Sequence, residues 1–593
     1  MADTNNPLAD AVSRDLLPFI QNPAQYIDGE VGAVRKDWDA AAVRFCLAFP
    51  DTYAIGMSHL GSAIIYHRLN ARADVLCERT YAPWTDVQDR MRAVGIPLFS
   101  WESRRPVREF GIVGFSLQYE MLYTNVLAML DLAGIPIFAT DRTETDPLIL
   151  GGGPGVNNPE PMAPFMDLML IGEAEDALPL MLNRYRALRA AGTKRADLIL
   201  ALAREFDFLY PCGLIEPAWN SDGTLAALTP KAEGLPPATV AAHVADFENA
   251  FFPTAPIVPN TEVVHDRITI EIMRGCPRQC RFCESGHTKG PVRFRSPERI
   301  VELARETYRR TGFEEISLTS LSPSDHPQLK AILTTLDAQF APRGVSLSLP
   351  SLHTNDRLEL VPRLLGSVRK SGLTMVPEAG LPRLRKVIGK AVLDEHLFAG
   401  AREAWSRGWN LIKLYFMIGL PTETEDDVRA IARLATRVSD LRREAGKGPG
   451  KVNLAVSNFV PKPHTPFQFA PMATEEYLAR ARDALRKALP DKRISLRVHR
   501  VDRSVLEGVL ARGDRRVGRA IYEAWRAGAR FDAWDELFNM SAWQAGFKAA
   551  GVDPAFYAHR ERGQDEVLPW ARVTVGDTKA DLWAEYEKAL SET

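Results

Sequence analysis

Residues Gly275–Cys283 read GCPRQCRFC and place three of the six cysteines of the chain on one short loop, at a C-x3-C-x2-C spacing. Three thiolates on one loop can ligate three irons of a cubane cluster, which leaves the fourth iron without a protein ligand. Such an open iron can bind a substrate instead of only relaying electrons. Arg274, Arg278 and Arg281 surround the thiols, so we expect them to lower the thiol pKa and to offset the charge of a thiolate-ligated cluster.

A structural zinc site is the alternative interpretation of the same loop. Cys276, Cys280 and Cys283, completed by His287, supply the three sulfurs and one nitrogen of a tetrahedral zinc ion. Short clusters of cysteine and histidine are often zinc sites. The loop alone therefore leaves both interpretations open, and the downstream sequence has to distinguish them.

The cysteine spacing resembles the signature of the radical S-adenosylmethionine (SAM) superfamily. The resemblance implies that Cys276, Cys280 and Cys283 are metal ligands and catalytic residues that bind a [4Fe–4S] cluster, with SAM on its open iron. In that family the reduced cluster cleaves SAM to methionine and a 5′-deoxyadenosyl radical, which abstracts a hydrogen atom. The resemblance also implies an electron donor such as flavodoxin or ferredoxin.

Residues 256–470 alternate short apolar runs with amphipathic stretches, the pattern of βα units on a parallel sheet. The first strand, Arg267–Met273, leads into the cysteine loop. Further strands are predicted at Glu315–Leu318, Ser346–Leu349, Thr374–Val376, Leu411–Ile418 and Val452–Val456. Six such units predict a partial (βα)6 barrel of the TIM type, the core fold of the radical SAM family, with its active site at the C-terminal ends of the strands.

Segments at the predicted strand ends resemble SAM-binding elements of the family. Leu318–Asp325 stands where many members carry Gly-Gly-Glu, so the resemblance assigns Ser320 and Ser322 to the methionyl end of SAM, although a hydroxyl-rich helix cap is compatible with the same residues. Glu378, after the fourth strand, suits the ribose hydroxyls or the amino group of SAM. The methionyl carboxylate of SAM could be bound by Arg383, Arg385 and Lys390. Alternatively, these residues lie on a solvated helix face.

The end of the fifth strand, KLYFMIGLPTETE at Lys413–Glu425, resembles the adenine-side element of the family. Ile418, Gly419 and Leu420 would pack against the adenine and offer backbone hydrogen bonds. The third strand ends in Pro350–Asn355, which faces the same barrel mouth.

The last predicted strand closes with a proline-rich loop, Ser457–Phe467. It resembles the last-strand loop of a branch of radical SAM proteins. Lys462 and His464 on this loop either reach a substrate or hold the loop in place.

Residues 1–180 predict a Rossmann-like domain of the flavodoxin type, since short apolar strands again alternate with helices. The predicted strands are Val43–Phe49, Val75–Arg79, Ile112–Leu117, Ile135–Ala139, Leu148–Leu150 and Leu168–Ile171. In open α/β sheets the ligand crevice lies outside the carboxyl ends of the strands. The whole chain is therefore expected to be an α/β protein.

The N-terminal region resembles the cobalamin-binding domain that precedes many radical SAM barrels. Ser116, Gly151 and Gly152 match positions that pack against the nucleotide tail of cobalamin. The D-x-H-x-x-G segment of that family has an incomplete counterpart in Met57–Ser62, where the aspartate is missing and the glycine is shifted. His59 is either a cobalt ligand or a histidine at a helix start, and the domain either binds cobalamin or only supports its neighbours.

Residues 181–255 are expected to form an interdomain linker, because prolines interrupt any long element there. Residues 471–593 predict a mainly helical C-terminal region. Within it, residues 492–530 carry eleven Lys and Arg against four Asp and Glu. This patch could contact RNA, with Tyr522, Trp525 and Trp534 for stacking, or its arginines could lie along a solvated helical bundle.

Composition limits the remaining possibilities. A chain of 593 residues should form three or four domains, and its net charge of −2 gives no global nucleic-acid footprint. The sequence contains no run of 18 or more apolar residues, so no transmembrane helix is predicted. The N-terminus is acidic and does not resemble a signal peptide. Cys46, Cys77 and Cys212 lie far apart and are predicted to be packed thiols. We therefore expect a cytoplasmic protein without a membrane partner.

Three functional hypotheses follow from these observations. The first is a radical SAM enzyme associated with cobalamin that methylates an RNA, a protein or a metabolite. The second is a radical SAM enzyme without cobalamin, whose Rossmann-like domain is a platform for a substrate or partner. The third is a non-enzymatic iron–sulfur or zinc protein that binds RNA. Sulfur insertion is disfavoured, because methylthiotransferases carry three further cysteines for a second cluster.

Overall fold

The computed structural model describes residues 6–349, 372–390, 392–489 and 492–592. The chain forms two compact units, each assembled from separate stretches of sequence. The first unit comprises Met1–Asp266, Gly513–Asp553 and Glu566–Val575. The second comprises Arg267–Arg512, Pro554–Asp565 and Gly576–Thr593. The residues that follow Arg512 are therefore divided between both units.

Strands and helices alternate along most of the described chain. The strands are β1 (Val43–Phe49), β2 (Val75–Tyr81), β3 (Ile112–Ser116), β4 (Leu148–Gly152), β5 (Leu168–Leu170), β6 (Leu209–Pro211), β7 (Ile215–Trp219), β8 (Leu225–Pro230), β9 (Thr239–Val240), β10 (Ile268–Glu271), β11 (Met273–Arg274), β12 (Arg293–Phe294), β13 (Glu315–Thr319), β14 (Ser346–Ser348), β15 (Leu373–Glu378), β16 (Leu411–Ile418), β17 (Lys451–Asn458), β18 (Ile494–Val498) and β19 (Val573–Thr574). The helices are α1 (Pro7–Ala11), α2 (Tyr53–Met57), α3 (Leu60–Asn70), α4 (Thr85–Val94), α5 (Tyr123–Leu132), α6 (Ala174–Ala190), α7 (Arg195–Glu205), α8 (Glu284–Thr288), α9 (Pro297–Thr311), α10 (Leu329–Phe340), α11 (Pro382–Val387), α12 (Asp394–Ser406), α13 (Glu425–Glu444), α14 (Glu475–Ala488), α15 (Val501–Arg512), α16 (Arg515–Arg526), α17 (Met540–Ala550), α18 (Pro554–Ala558) and α19 (Lys579–Ser591).

A six-stranded sheet with strand order β2-β1-β3-β4-β5-β6 forms the centre of the first unit. Strands β1 to β5 are parallel, and β6 pairs antiparallel with β5. β1 and β2 are buried along almost their whole length, as expected for strands covered on both faces. The parallel part has the flavodoxin-type order, so the predicted Rossmann-like fold is confirmed. Its topological switch point lies between β1 and β3.

One predicted strand of the first unit, Ile135–Ala139, is wrong. The N–H of Ile135 donates to the carbonyl of Leu130 over 3.0 Å, which ends helix α5. Pro136 follows directly and has no N–H to offer to a sheet ladder. An apolar run that contains a proline therefore forms a connection here instead of a strand.

The span 181–255, expected to be a linker, contributes regular structure to the first unit. It contains the end of α6, all of α7, strand β6 of the central sheet and the antiparallel hairpin β7–β8. Three of the six prolines of this span lie on strands: Pro211 and Pro230 are the last residues of their strands, and Pro217 lies on the two-stranded hairpin. Edge strands and strand ends tolerate a missing N–H, so these prolines do not exclude a sheet.

Helices α16 and α17 belong to the first unit although they lie far along the chain. Glu160, which is fully buried, accepts hydrogen bonds from Arg515 Nη2 over 2.8 Å and Nε over 3.0 Å. The hydroxyl of Tyr210 donates to the same carboxylate over 2.6 Å. A buried carboxylate with a bidentate arginine thus fixes the start of α16.

Two parallel sheets form the second unit, with strand orders β10-β13-β14 and β15-β16-β17-β18. Their first six strands correspond to the six predicted strands, so the alternating βα pattern of the radical SAM core is confirmed. On β13 the apolar Ile316 and Leu318 are fully buried, while Ser317 and Thr319 point to the opposite face. Parallel pairing brings the carboxyl ends within each sheet to one edge.

The seventh parallel strand, β18, was not predicted. Ile494, Leu496 and Val498 alternate with Ser495 and Arg497, and the strand pairs with β17. The stretch lies within the region 471–593 that is predicted to be mainly helical, and it belongs to the basic span 492–530. The period of two in its apolar residues was the correct signal. Most of the remaining C-terminal elements are helical, as predicted.

Helix α13 is the longest of the described helices, with 20 residues. It begins with a capping box formed by Thr424 and Asp427. Its last turn carries Arg442 and Arg443, whose positive charges compensate the negative end of the helix dipole. Its polar face is strongly charged. In the described part of the chain we find no helix with the length and apolarity needed to cross a bilayer.

Truncation of Glu160 should destabilise the first unit. In Glu160→Ala, Arg515 stays buried without its counter-ion, and breaking a buried ion pair from one side costs about 3–5 kcal/mol. We expect the free energy of unfolding of this unit to fall by that amount, as measured by urea unfolding with far-ultraviolet circular dichroism. Arg519→Ala, which removes an exposed guanidinium paired with Glu523, is the control and should cost below about 1 kcal/mol. Equal losses in the two variants would contradict the assignment.

Candidate active site

The cysteine loop follows the first strand of the second unit. Met273–Arg274 pairs antiparallel with Arg293–Phe294, so the loop and the short helix α8 lie between two paired segments. Gly275 has a φ of +86°, and a Cβ at this position would lie 3.0 Å from the carbonyl oxygens of Lys289 and Pro291. Both the conformation and the space therefore require glycine at the start of the loop.

All three thiols of the loop are at least half-buried, and Cys280 is buried. Burial raises the pKa of all three, and it raises the pKa of Cys280 to about 12. Arg278 lowers the pKa of Cys276, but the desolvation of the thiol outweighs it. The predicted lowering is therefore present for Arg278 at Cys276, but burial makes the net shift of the thiol pKa upward.

Carboxylates hold the arginines of the loop and so limit their effect on the thiols. Arg274 Nη2 lies 2.8 Å from Glu271 Oε2. Arg278 forms a bidentate pair with Asp325, in which Nε donates to Oδ2 over 2.8 Å. Both of these guanidinium groups are therefore already paired with a carboxylate. Their charge is thus largely compensated locally.

His287 is engaged on both sides of its ring. Its Nδ1 lies 2.8 Å from Asp577 Oδ2, and its Nε2 lies 3.2 Å from the carbonyl oxygen of Cys280. In the described ranges no group of three or more Cys, His, Asp or Glu side chains, the three loop cysteines included, is already arranged around a metal position. Because both ring nitrogens of His287 are engaged, the remaining candidate ligands of the loop are its three thiols. Such a set fits a cluster with an open iron better than a four-ligand zinc ion.

Glu378 ends β15 with a φ of +67°, which residues with a side chain rarely adopt. The register between β15 and β16 shifts just before it. Its Oε1 lies 3.0 Å from Lys390 Nζ, and the two side chains are only 14% and 7% exposed. A strained, largely buried carboxylate beside a single cation is suited to accept hydrogen bonds from a ligand. Lys390 is committed to this pair.

Arg385 and Arg383 also support the strand ends. Arg385 is 1% exposed and donates to the carbonyl oxygens of Ala379 over 2.9 Å and Gly380 over 3.2 Å. Arg383 Nη2 donates to the carbonyl oxygen of Thr422 over 3.0 Å. Neither arginine lies on a solvated helix face, and both fix backbone next to the predicted SAM site.

The serines that follow β13 differ in their surroundings. Three serine hydroxyls here are buried and have no hydrogen-bond partner among the described residues: Ser317 Oγ, Ser320 Oγ and Ser324 Oγ. Ser322 Oγ donates to Asp325 Oδ2 over 2.5 Å. Buried hydroxyls without a partner indicate a missing ligand or water. Ser320 therefore fits the predicted contact with SAM, whereas Ser322 supports the carboxylate that holds the cysteine loop.

The predicted adenine-side residues lie at the end of β16. Ile418 and Leu420 are buried, and Gly419 between them has a φ of +81°. A Cβ at Gly419 would lie 2.8 Å from a methyl group of Leu478. Glycine is therefore required here by both its conformation and its packing against α14.

Glu423 is a residue of this strand end that the sequence analysis missed. Its Oε1 accepts hydrogen bonds from the N–H of Gly419 over 2.7 Å and from the hydroxyl of Tyr477 over 2.9 Å. Burial raises the pKa of Glu423 to about 7. The Gly-Leu-Pro-Thr-Glu run was the available signal, but Tyr477 is 54 residues away and its contact could not be read from the sequence.

The proline-rich loop after β17 packs against the cysteine loop. The N–H of Phe467 donates to the carbonyl oxygen of Arg281 over 3.1 Å. Lys462 Nζ lies 2.8 Å from Glu507 Oε1, and His464 is buried with a φ of +59°. These contacts support the interpretation in which both residues hold the loop in place.

The predicted cobalamin residues lie at the carboxyl ends of β3 and β4 in the first unit. Ser116 is paired with Gly152 in the register, and its Oγ accepts a hydrogen bond from Gln118 Nε2 over 2.9 Å. A Cβ at Gly152 would come no closer than 3.8 Å to another atom, while one at Gly151 would press on side chains of the sheet at 3.2 Å. A Cβ would therefore fit beside Gly152 in ordinary van der Waals contact, whereas Gly151 is tightly packed.

His59 caps helix α3. Its Nδ1 accepts a hydrogen bond from the N–H of Ser62 over 3.1 Å and lies 2.9 Å from the Ser62 hydroxyl. Burial lowers the pKa of His59 to about 4. This environment favours the histidine at a helix start over the cobalt ligand.

The basic span 492–530 is not one surface. Arg512 is fully buried and donates to the carbonyl oxygen of Ala558 over 2.8 Å, and Arg515 holds Glu160. Arg497 lies on strand β18 of the second unit. Several of these charges therefore have structural roles, and RNA contact by this span stays a prediction.

The structure collects the predicted site residues into two groups. The first unit carries Ser116, Gly151 and Gly152. The second carries Cys276, Cys280, Cys283, Ser320, Ser322, Glu378, Ile418, Gly419 and Leu420, all on segments that follow parallel strands. The predicted third strand end, Pro350–Asn355, lies outside the described residues.

Glu423→Gln should alter the pH dependence of stability. An acid whose pKa is raised on folding stabilises the protein most below its unfolded value, near pH 4.5, and this stability is lost as the pH rises through about 7. Glutamine keeps the oxygen that accepts both hydrogen bonds and cannot ionise. We therefore expect the Tm of the variant, relative to the native protein, to rise between pH 5 and pH 8 in scanning calorimetry. A constant difference across this range would contradict the buried carboxyl.

Two family models match the chain. Residues 61–211 match the model for radical SAM proteins, N-terminal, and residues 270–435 match the model for the radical SAM superfamily. A protein of Methanocaldococcus jannaschii described as uncharacterized is 26% identical over 436 residues, which are 72% of this chain and 84% of that protein. The threonylcarbamoyladenosine tRNA methylthiotransferase of Drosophila melanogaster is 27% identical over 212 residues, 33% of this chain and 35% of that enzyme.

Among solved structures, the radical SAM methyltransferase TsrM from Kitasatospora setae, with cobalamin and a [4Fe–4S] cluster bound, aligns with a TM-score of 0.49 at 13% identity. The alignment covers 85% of this chain and 99% of TsrM. The cobalamin-dependent enzyme OxsB aligns with a TM-score of 0.46 at 12% identity, over 98% of this chain and 85% of OxsB. The two family models carry the assignment, because between them they match more than half of the residues. The chain therefore belongs to the radical SAM superfamily and is an enzyme whose cofactors are SAM and a [4Fe–4S] cluster.

Proposed function

We propose that this enzyme cleaves SAM reductively in its second unit and uses cobalamin, held by its first unit, to transfer a methyl group to a substrate. The observation that carries the SAM site is the buried hydroxyl of Ser320, which has no hydrogen-bond partner within the part of the chain that the structure describes. It follows β13, the strand that pairs with β10 ahead of the cysteine loop. A polar ligand between these strand ends would satisfy it.

Cys276, Cys280 and Cys283 would hold a [4Fe–4S] cluster, which supplies one electron and an open coordination position when it is bound. Burial raises the pKa of these thiols, so each must release a proton when it ligates iron near neutral pH. A protein donor of the flavodoxin or ferredoxin type would supply the electron. The chain itself contributes a fixed loop and a partly buried environment.

Glu378 would orient the bound SAM. Lys390 keeps its carboxylate in place, and the carboxylate can then accept hydrogen bonds from ribose hydroxyls or the amino group. Ile418 and Leu420 present apolar surface and backbone groups to the adenine at the neighbouring strand end. Together these residues would bind SAM in one orientation and exclude water from the bond that breaks.

Cobalamin is assigned to the first unit because the residues that resemble its nucleotide-tail site lie together there. Ser116 and Gly152 are paired in register at adjacent strand ends, and a Cβ at Gly152 would meet only ordinary van der Waals contact. When bound, cobalamin supplies a carrier for the methyl group. Since His59 is used as a helix cap, this chain would hold the corrin without a histidine from that segment.

Sulfur insertion is less consistent with the remaining cysteines. Cys46, Cys77 and Cys212 are buried, and burial raises the pKa of each thiol well above its usual value. Cys46 and Cys77 lie on neighbouring strands inside the first unit, so they are packed thiols. They do not supply an accessible ligand set for a second cluster.

Anaerobic reconstitution with iron and sulfide, followed by dithionite and SAM, tests the cleavage. The native protein should form 5′-deoxyadenosine, measured by liquid chromatography and mass spectrometry. Cys280→Ser should reduce it to background, because two thiolates do not hold the cluster. Cys212→Ser, which alters a buried thiol of the first unit, is the control and should retain the product. Product at native levels from Cys280→Ser would refute the assignment.

Retention of cobalamin tests the second part of the proposal. Protein reconstituted with hydroxocobalamin and then desalted should keep the visible corrin bands. Ser116→Met, which places a long side chain at the strand end next to Gly152, should lose them, whereas the same change at the exposed Ser221 should not. If native protein retains no corrin yet forms 5′-deoxyadenosine, the first unit is a platform without cobalamin. Far-ultraviolet circular dichroism checks that both variants are folded.

A further inference from the structure

The segment Gly576–Glu592 contacts the cysteine loop at a charged, nearly buried side chain. Arg281, between the second and third cysteines, has a side chain only 6% exposed. Its Nη1 lies 2.6 Å from Glu592 Oε2, and its Nη2 lies 3.0 Å from Glu585 Oε2. Both carboxylates belong to α19 or the residue that follows it. One guanidinium of the loop is therefore held by two acids of a distant helix.

The same arginine ties the loop to two further parts of the second unit. Arg281 Nη1 donates to the carbonyl oxygen of Val387 over 2.9 Å, and its backbone N–H donates to the carbonyl oxygen of Ile388 over 3.0 Å. Its own carbonyl oxygen accepts from the N–H of Phe467. Arg281 thus fixes the backbone between the cysteines on several sides.

A second contact lies at the other end of the loop. His287 bridges Asp577 Oδ2 and the carbonyl oxygen of Cys280 through its two ring nitrogens, over 2.8 Å and 3.2 Å. The backbone of Gly576 lies so close that a Cβ there would come within 2.2 Å of the His287 carbonyl oxygen. The carbonyl of a cysteine is therefore linked through one histidine to the same distant segment.

Helix α19 is anchored independently of these contacts. Thr578 and Asp581 form a capping box at its start, and Tyr586 donates its hydroxyl to Glu561 Oε1 over 2.8 Å. The ring of Trp583 packs edge-on against Phe469 with centroids 4.9 Å apart. The helix therefore offers a fixed support to the loop instead of following it.

We propose that residues Gly576–Glu592 clamp the cysteine loop and that Asp577, Glu585 and Glu592 are positioning residues for the cluster. The clamp rests on the proposed role of the three thiols. A loop with only three ligands has no fourth protein bond to hold its shape, so contacts outside the ligands must set the spacing of the thiols. Asp577 acts through His287, and the two glutamates act through Arg281.

Neutral variants of the clamp test the proposal in the full-length protein. The variants are Glu585→Gln with Glu592→Gln, and separately Asp577→Asn; Glu587→Gln, on an exposed position of the same helix, is the matched control. The first readout is hydrogen–deuterium exchange of the loop peptide in the metal-free protein. The second is the rate at which reconstituted protein releases iron to the chelator ferrozine.

We expect faster exchange of residues 275–288 in both clamp variants and release of iron about tenfold faster, since hydrogen bonds to a charged group are lost. Glu587→Gln should behave as the native protein. Native exchange and native iron release in both clamp variants would overturn the clamp. If the double variant does not fold, the milder Asp577→Asn decides. Failure of native protein to bind iron would instead refute the role of the cysteines, while the exchange data would still test the contacts.

Discussion

Parallel strand pairing is the constraint on which both units depend. Parallel neighbours need a crossover connection, and the loops that leave their carboxyl ends are therefore collected along one edge. This is why Ser116 and Gly152, 36 positions apart in the chain, face each other in the first unit. It is also why the segments after β10, β13, β15 and β16 carry the predicted ligands of the second unit. Residues far apart in sequence become one site through topology alone.

The edge of the second unit is held in an unfavourable backbone conformation. Glu378, Thr422 and His464 follow three of its strands with φ values of +67°, +63° and +59°. Each such residue costs on the order of 1–3 kcal/mol, so surrounding contacts must maintain it. The arginines next to these residues do so: Arg385 binds the carbonyls after β15, and Arg383 binds the carbonyl of Thr422. Cations predicted to bind SAM thus stabilise the backbone that presents other groups to it.

The sequence predicted those features that depend on local periodicity or on a short motif. Six strands of the second unit and five parallel strands of the first follow from apolar runs, and the cysteine spacing indicates the family. The strand predicted at Ile135–Ala139 was wrong because its apolar run contains Pro136, which cannot donate a hydrogen bond to a sheet. The strand Ile494–Val498 was not predicted because it lies in a basic span, where the high content of arginine conceals the alternation of apolar and polar residues. Glu423 with Tyr477, and Arg281 with Glu585, depend on contacts across 54 and 304 residues, which no local pattern specifies.

The division of the chain has a consequence for its biosynthesis. The first unit is complete only when Gly513–Asp553 and Glu566–Val575 have been made, yet the whole sheet-forming part of the second unit precedes them. Domains usually fold in order as the ribosome releases them. Here Arg515 is synthesised long after the buried Glu160, whose carboxylate has only the hydroxyl of Tyr210 as a partner until then. The N-terminal sheet is therefore expected to reach its full stability late in translation, and proteolytic removal of the late segments should destabilise it.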